Sequence, residues 1–313
     1  MRNSPQELVD YVIHFLRDDP TSLSASRLVS RAWNLSASVH LFRSLDLMIS
    51  EEPRPEPLPL SPGFHNLAKL KANRGVEKFK ALVSILQTSV DIPHCVREIT
   101  LGRTTQFRCT TTTENYEKQD GYAHLISSIL LRLNRVSSVF FREMNWATLS
   151  PAFFSCILKL CESRTLEHIE IWNCQLLSPS SVFHLLHAAE TIRSLRLSYI
   201  RILGDLHAEL KEVQASGSWD TPAIWNSVPC KSSLYSLAID ANVAVLHGVF
   251  GPPPSVIDFT KLRQLCLTNV RDGASINEFL QRAGHELEFL DLRLFPGKLS
   301  VRLLKLLKYT YKL

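Results

Sequence analysis

Several signatures are missing from the sequence, and each absence removes a class of function. No stretch approaches the roughly 18 uncharged apolar residues of a membrane-crossing helix, and the opening MRNSPQELVD lacks the apolar core of a secretion signal. The seven cysteines, Cys95, Cys109, Cys156, Cys161, Cys174, Cys230 and Cys266, include no C-x-x-C pair and no metal-ligand spacing. No G-x-S-x-G, G-x-x-x-x-G-K-[ST] or G-x-G-x-x-G occurs, so a nucleophile elbow and the common phosphate-binding loops are absent. Nor does one charge dominate. The net charge is +5, and Lys and Arg are scattered without the basic, aromatic-interleaved stripe of a nucleic-acid groove. These absences predict a cytoplasmic or nuclear protein without metal or cofactor, binding neither membrane nor nucleic acid, whose cysteines are reduced and packed as small apolar residues.

What is present is an ordinary globular composition, 45% hydrophobic and 21% charged, in a chain long enough to bury a core without disulfides. Ser4-Pro5-Gln6-Glu7 combines a capping box with proline at the first helical position, predicting a helix start. Leu8, Val12, Phe15 and Leu16, with Ile13 beside them, follow helical spacing up to Asp18-Asp19-Pro20, where Asp19 and Pro20 open a second short helix. Leu23, Leu28, Val29, Ala32 and Trp33 continue the helical pattern, and Val39, Leu41 and Phe42 close it. Residues 1–46 thus read as a small three-helix module. Residues 47–75 read as a linker, because the run EEPRPEPLPLSP at 51–62 carries five prolines.

Beyond the linker, over 76–313, an apolar triplet spaced L-x-x-L-x-L recurs seven times. It falls at Val96/Ile99/Leu101, Val136/Val139/Phe141, Leu166/Ile169/Ile171, Ile192/Leu195/Leu197, Leu234/Leu237/Ile239, Leu262/Leu265/Leu267 and Leu287/Leu290/Leu292. The starts lie 40, 30, 26, 42, 28 and 25 residues apart, the period of a repeat with two insertions. Between triplets run helical stripes, such as Phe79/Leu82/Val83/Leu86, Leu125/Ile126/Ile129/Leu130/Leu133 and Phe153/Phe154/Ile157/Leu158/Cys161. Leu185/Leu186/Ala189 and Ile276/Phe279/Leu280/Ala283 repeat the arrangement. Alternating short strands and helices bury a continuous core only by stacking side by side with parallel strands. The predicted fold class is therefore α/β, a curved solenoid with strands near 96–101, 136–141, 166–171, 192–197, 234–239, 262–267 and 287–292. Polar inserts at 102–120 and 204–233 read as surface loops. The stripe Leu303/Leu304/Leu307 predicts one more helix, uncapped by any polar repeat.

Two stretches of the helical module resemble the signature of an F-box: Pro5-Gln6-Glu7-Leu8, and Leu28-Val29-Ser30-Arg31-Ala32-Trp33. With the Asp18-Asp19-Pro20 turn they are similar to F-box-like proteins of mushroom-forming fungi, over about 40 residues. Where that family usually has leucine before the proline, this chain has Ser4. The resemblance implies docking on a Skp-family adaptor, and through it on a cullin scaffold, by Pro5, Leu8, Val12, Ile13, Leu16, Leu28, Val29, Arg31 and Trp33. The triplets resemble the degenerate leucine-rich repeats that often follow an F-box. The Asn or Cys expected three residues beyond the last leucine is found at Cys174 and Asn242, while Thr104, Met144, Ile200, Val270 and Phe295 stand in its place elsewhere.

Side chains on a strand alternate, so leucines pointing inward turn the intervening residues onto the concave face. Phe140, Arg142, Glu170, Trp172 and Arg196 then fall on adjacent repeats as a substrate-binding patch, aromatic and Arg side chains being those that dominate interface energies. The bland alternative has Phe140 and Trp172 covered by the inserts or by the helical module. Trp219 and Trp225 in the second insert fit a packed flap or a contact point. His184-x-x-His187 lacks the glutamate of a zinc motif and reads as structural.

The expected function is a non-enzymatic substrate receptor of an SCF-type ubiquitin ligase. Two alternatives stay open, a leucine-rich-repeat interaction scaffold without ligase role and a hydrolase with its site in an insert loop.

Overall fold

The computed structural model describes residues 5–49, 77–103, 123–146, 149–176, 180–202, 233–240, 259–270, 280 and 286–294. Most of both inserts, Trp219, Trp225, Asn242, Phe295 and the Leu303/Leu304/Leu307 stripe lie outside the described residues. The chain divides into two compact units, Met1–Ser137 and Ser138–Leu313. Among the described residues no helix is long and apolar enough to cross a membrane.

The first unit opens with three helices, α1 (Gln6–Phe15), α2 (Pro20–Ser26) and α3 (Arg31–Leu41). Helix α1 starts one residue later than expected: Pro5 is the cap residue, in extended backbone, and no side chain caps it. Helix α2 starts as predicted, with the Asp19 carboxylate accepting from the amides of Thr21 and Ser22 and Pro20 in its first turn. Helix α3 is capped by Ser30, whose hydroxyl accepts from the Trp33 amide. The three helices close on Val9, Ile13, Leu23 and Ala37, with Leu16, Trp33 and Leu41 packed against this core.

Strand β1 (Ser44–Ile49) follows directly. It straddles the expected edge of the helical module and has no counterpart in the predicted strands. Its sequence does carry the signal, since Phe42, Leu45 and Leu47 form an eighth L-x-x-L-x-L triplet. Helix α4 covers 77–88 and is followed by α5 (Ile92–Cys95), β2 (Glu98–Arg103) and α6 over 123–130. Strand β2 runs two residues into the expected first insert. β1 and β2 pair in parallel, Leu45 beside Ile99 and Leu47 beside Leu101. The predicted stripes supply the packing, with Phe79, Leu86, Ile126, Ile129 and Leu130 all buried.

The second unit is α/β with parallel strands. Strands β3 (Ser138–Arg142), β4 (His168–Trp172), β6 (Ser194–Ser198), β8 (Ser236–Asp240), β9 (Gln264–Val270) and β10 (Phe289–Leu294) pair in chain order. Helices α7 (Pro151–Cys161) and α8 (Ser180–Ala188) connect the first three. Each strand begins two residues after the first apolar position of its triplet. The reason is visible in the register: Val139, Ile169, Leu195, Leu237 and Leu265 stand in one row, Phe141, Ile171, Leu197, Ile239 and Leu267 in the next. All ten are buried, the least so 2% exposed, so β3, β4, β6, β8 and β9 contribute the same two core positions, while the equivalent Leu290 and Leu292 of β10 are half-buried. At roughly 1.5–3 kcal/mol per buried aliphatic or Phe side chain, these two rows are a principal source of cohesion.

Two backbone devices recur at the strand ends. At entry, one carbonyl takes two amides from the next strand: Glu167 from Arg193 and Ser194, Arg193 from Tyr235 and Ser236, Tyr235 from Arg263 and Gln264, Arg263 from Glu288 and Phe289. In the first unit Arg43 does the same for Arg97 and Glu98. At exit, Glu143, Asn173 and Tyr199 occupy equivalent places and all have left-handed backbone, with φ of 55, 50 and 55°. The turn they make carries Met144, Cys174 and Ile200 back into the core, all three buried. A short second ladder follows, β5 (Gln175–Leu176) beside β7 (Arg201–Ile202). The position expected to hold Asn or Cys is thus filled here by three apolar or weakly polar side chains in one row. Only Cys174 bonds the backbone, its thiol donating to the Trp172 carbonyl at 3.3 Å.

Candidate functional site

Two surfaces stand out, one on each unit. On the helical module, α1 carries two apolar stripes rather than one. Val9, Ile13 and Leu16 face the core, whereas Leu8, Tyr11, Val12 and Phe15, at i, i+3, i+4 and i+7, face away from it. The outer stripe is held open, with Leu8 58% and Phe15 68% exposed. The Tyr11 and Phe15 rings meet edge to face, centroids 4.8 Å apart. Leu28 and Val29, in the turn between α2 and α3, are exposed too, Leu28 to 88%.

This arrangement divides the residues expected to meet an adaptor. Pro5, Leu8, Val12, Leu28, Val29 and Arg31 are exposed. Ile13 is wholly buried and belongs to the module's own core, which corrects the expectation that it lies on the docking face. Leu16 and Trp33 are half-buried against that same core. Tyr11, missing from the expected face, belongs to the exposed stripe, as does Phe15, which was read only as a helical position.

Behind this surface, polar side chains beside the apolar core also link α1 to α3. Gln6 donates to Asp10 and Ser36, and the Ser36 hydroxyl donates to the Asp10 carboxylate. These hydrogen bonds hold Asp10 below its ordinary carboxylate range, the one from Ser36 contributing most. His14 and His40 stand 5.8 Å apart, ring to ring, and Arg17 lies 3.2 Å from His14. Burial holds His40 below the ordinary imidazole value, with His14, Arg43 and Arg17 acting in the same direction and Asp10 opposing. A cavity of about 460 Å³ opens beside these residues, lined among others by Asp10, Arg27, Asp91, His94, Arg97 and Arg135. Its lining mixes both charge signs.

On the second unit, the strand residues between the core rows form an open face. Phe140, Glu170 and Arg196 are register neighbours across β3, β4 and β6, with Arg142, Trp172 and Ser198 in the row beside them. The five residues expected to form a patch are therefore contiguous. Phe140, Glu170 and Trp172 are half-buried, and Arg142 and Arg196 are exposed. The Arg142 guanidinium lies 5.9 Å from the centre of the Phe140 ring, and Phe140 meets His168 at 5.5 Å. Burial pushes His168 down from the ordinary imidazole value, with Glu170 opposing and Arg196 assisting.

Compared with known proteins, the chain matches no family model and none of the curated proteins.

The sequence reading missed Tyr199. Its left-handed backbone turns its ring onto the edge of Trp172, centroids 6.3 Å apart, and leaves it 60% exposed. A bulky residue is rare in that conformation, and nothing in the local sequence announces it. Among the described residues no cluster of His, Cys, Asp or Glu could hold a metal ion. His184 lies edge-on to the Phe154 ring at 6.5 Å.

Proposed function

We propose that the chain is a substrate receptor of an SCF-type ubiquitin ligase, whose helical module docks on a Skp-family adaptor and, through it, on a cullin scaffold. The observation that carries this reading is the outer stripe of α1 together with Leu28 and Val29. A three-helix module has too little interior to enclose two apolar stripes on one helix, and of the exposed residues Leu8, Leu28 and Val29 lie in the two stretches that resemble an F-box. Contiguous exposed apolar surface of this kind marks a binding face. The parallel strands of the second unit, with their L-x-x-L-x-L sequences, support a leucine-rich-repeat solenoid that holds the target protein on its open face.

In this role the chain performs no chemistry. It raises the concentration of a target lysine near a conjugating enzyme, so its contribution is proximity and orientation. It would work inside the cell, where that machinery resides.

The test is capture of a purified Skp-family adaptor by the full-length chain, unmodified and with Leu8→Asp plus Leu28→Asp. The expected result is capture by the unmodified chain and loss in the double variant, with unchanged circular dichroism. Failure of the unmodified chain to bind at micromolar concentration overturns the reading and leaves an interaction scaffold.

A further inference from the structure

The open face of β3, β4 and β6 has a charge pattern that defines a ligand. Arginines at several strand entries are neutralised by the neighbouring repeat, Arg193 with Glu167 at 3.9 Å and Arg263 with Glu288 at 2.9 Å, and Arg293 is paired with Asp291 at 3.1 Å. Arg142 and Arg196 take part in no ion pair among the described residues. They are the two exposed cations of the aromatic patch. From the spacing and rise of parallel strands their Cα atoms are roughly 12 Å apart on a diagonal across the face.

Between them lie Glu170 and Trp172, and Tyr199 leans on Trp172. An acidic group placed over the middle of the diagonal meets Glu170 and is repelled. An apolar group there meets the Trp172–Tyr199 pair. The face thus favours negative charge at two ends and discriminates against it at the centre.

We propose that this face receives an extended acidic peptide with two carboxylates four residues apart and an apolar side chain midway between them, so that all three point to the same side of the extended chain. Four residues of extended chain span about 13 Å, close to the separation of the two arginine Cα atoms across the face. Arg142 and Arg196 each hold a carboxylate at the rim, while the Trp172–Tyr199 edge seats the apolar residue. The proposal rests on the reading of this face as protein-binding, and it is independent of the adaptor.

Panning a phage library of short random peptides against the immobilised full-length chain tests it. The expected result is enrichment of acid-apolar-acid sequences, and affinity measured by fluorescence polarisation that falls as salt rises. Arg142→Glu with Arg196→Glu should weaken an enriched peptide by about tenfold or more, and Glu170→Gln should admit sequences with a central acid. No enrichment, enrichment of basic or uncharged peptides, or salt-independent affinity overturns it. The salt series needs no variant, so it decides even where a substitution disturbs folding. Adaptor capture by the same preparation reports the helical module separately: failed panning with intact capture removes this proposal alone, and lost capture with intact enrichment removes the ligase reading alone.

Discussion

The helices over Gln6–Leu41 and the strands of the second unit are both rich in apolar residues, but they dispose of them differently. Strands β3, β4, β6, β8 and β9 each bury two apolar residues in rows that neighbouring strands share, so most of the aliphatic content is consumed by repetition. Helix α1 buries one stripe and exposes another. A sheet extended by repeats can always find a neighbour for its inner face, whereas three short helices run out of interior. Surplus apolar surface is therefore informative in the first region, and in the second the information lies in the polar and aromatic residues between the rows.

The largest break in this contrast comes from the sheet. Phe141→Ala empties a wholly buried ring position in the second core row, and should cost about 3–5 kcal/mol in urea unfolding. Ile13→Ala removes the centre of the helical core and should cost about 2–5 kcal/mol, whereas Leu28→Ala, on the exposed turn, should stay within about 0.5 kcal/mol. Equal costs for Ile13 and Leu28 would mean that the outer surface is covered within the chain. Ser30→Ala deletes the cap of α3 and should cost about 1 kcal/mol, seen as a modest loss of helical ellipticity on warming.

The smallest effect is one of pH. His40 is held below the ordinary imidazole value, so the unfolded chain takes up a proton before the folded one does. Stability is full above about pH 6.5 and falls as pH drops through 6.5 toward the folded-state value. His168 contributes in the same sense from the second unit. His40→Asn should remove its share of the slope, and a histidine titration by NMR should place His40 below 6.5. A midpoint at or above 6.5 would show that the His14–His40 cluster does not penalise charge.

Much of the fold was legible because the repeat states its geometry twice, through the L-x-x-L-x-L triplet and through the helical stripe that follows. Seven triplets became seven strands, each displaced by two residues. The eighth, Phe42/Leu45/Leu47, was absorbed into the helical module, because Phe42 directly continues the apolar positions of α3. The face of α1 was less legible: Leu8, Val12 and Phe15 show helical spacing as clean as that of Val9, Ile13 and Leu16, and periodicity alone does not say which stripe meets the core. The patch on β3, β4 and β6 followed from strand alternation. Tyr199 lies past the strand end, where alternation fails, and its place depends on a left-handed turn written by no glycine.

The thiols of the second unit offer a clock for its opening. Burial raises Cys161 to about 12 and Cys174 to about 11, so in the closed protein almost no thiolate exists at neutral pH, and an alkylating reagent has no route to either sulfur. Modification of these two must wait for the surrounding repeat to part. Their labelling rates, read by mass spectrometry, would then measure how often individual repeats open while the rest of the chain stays folded.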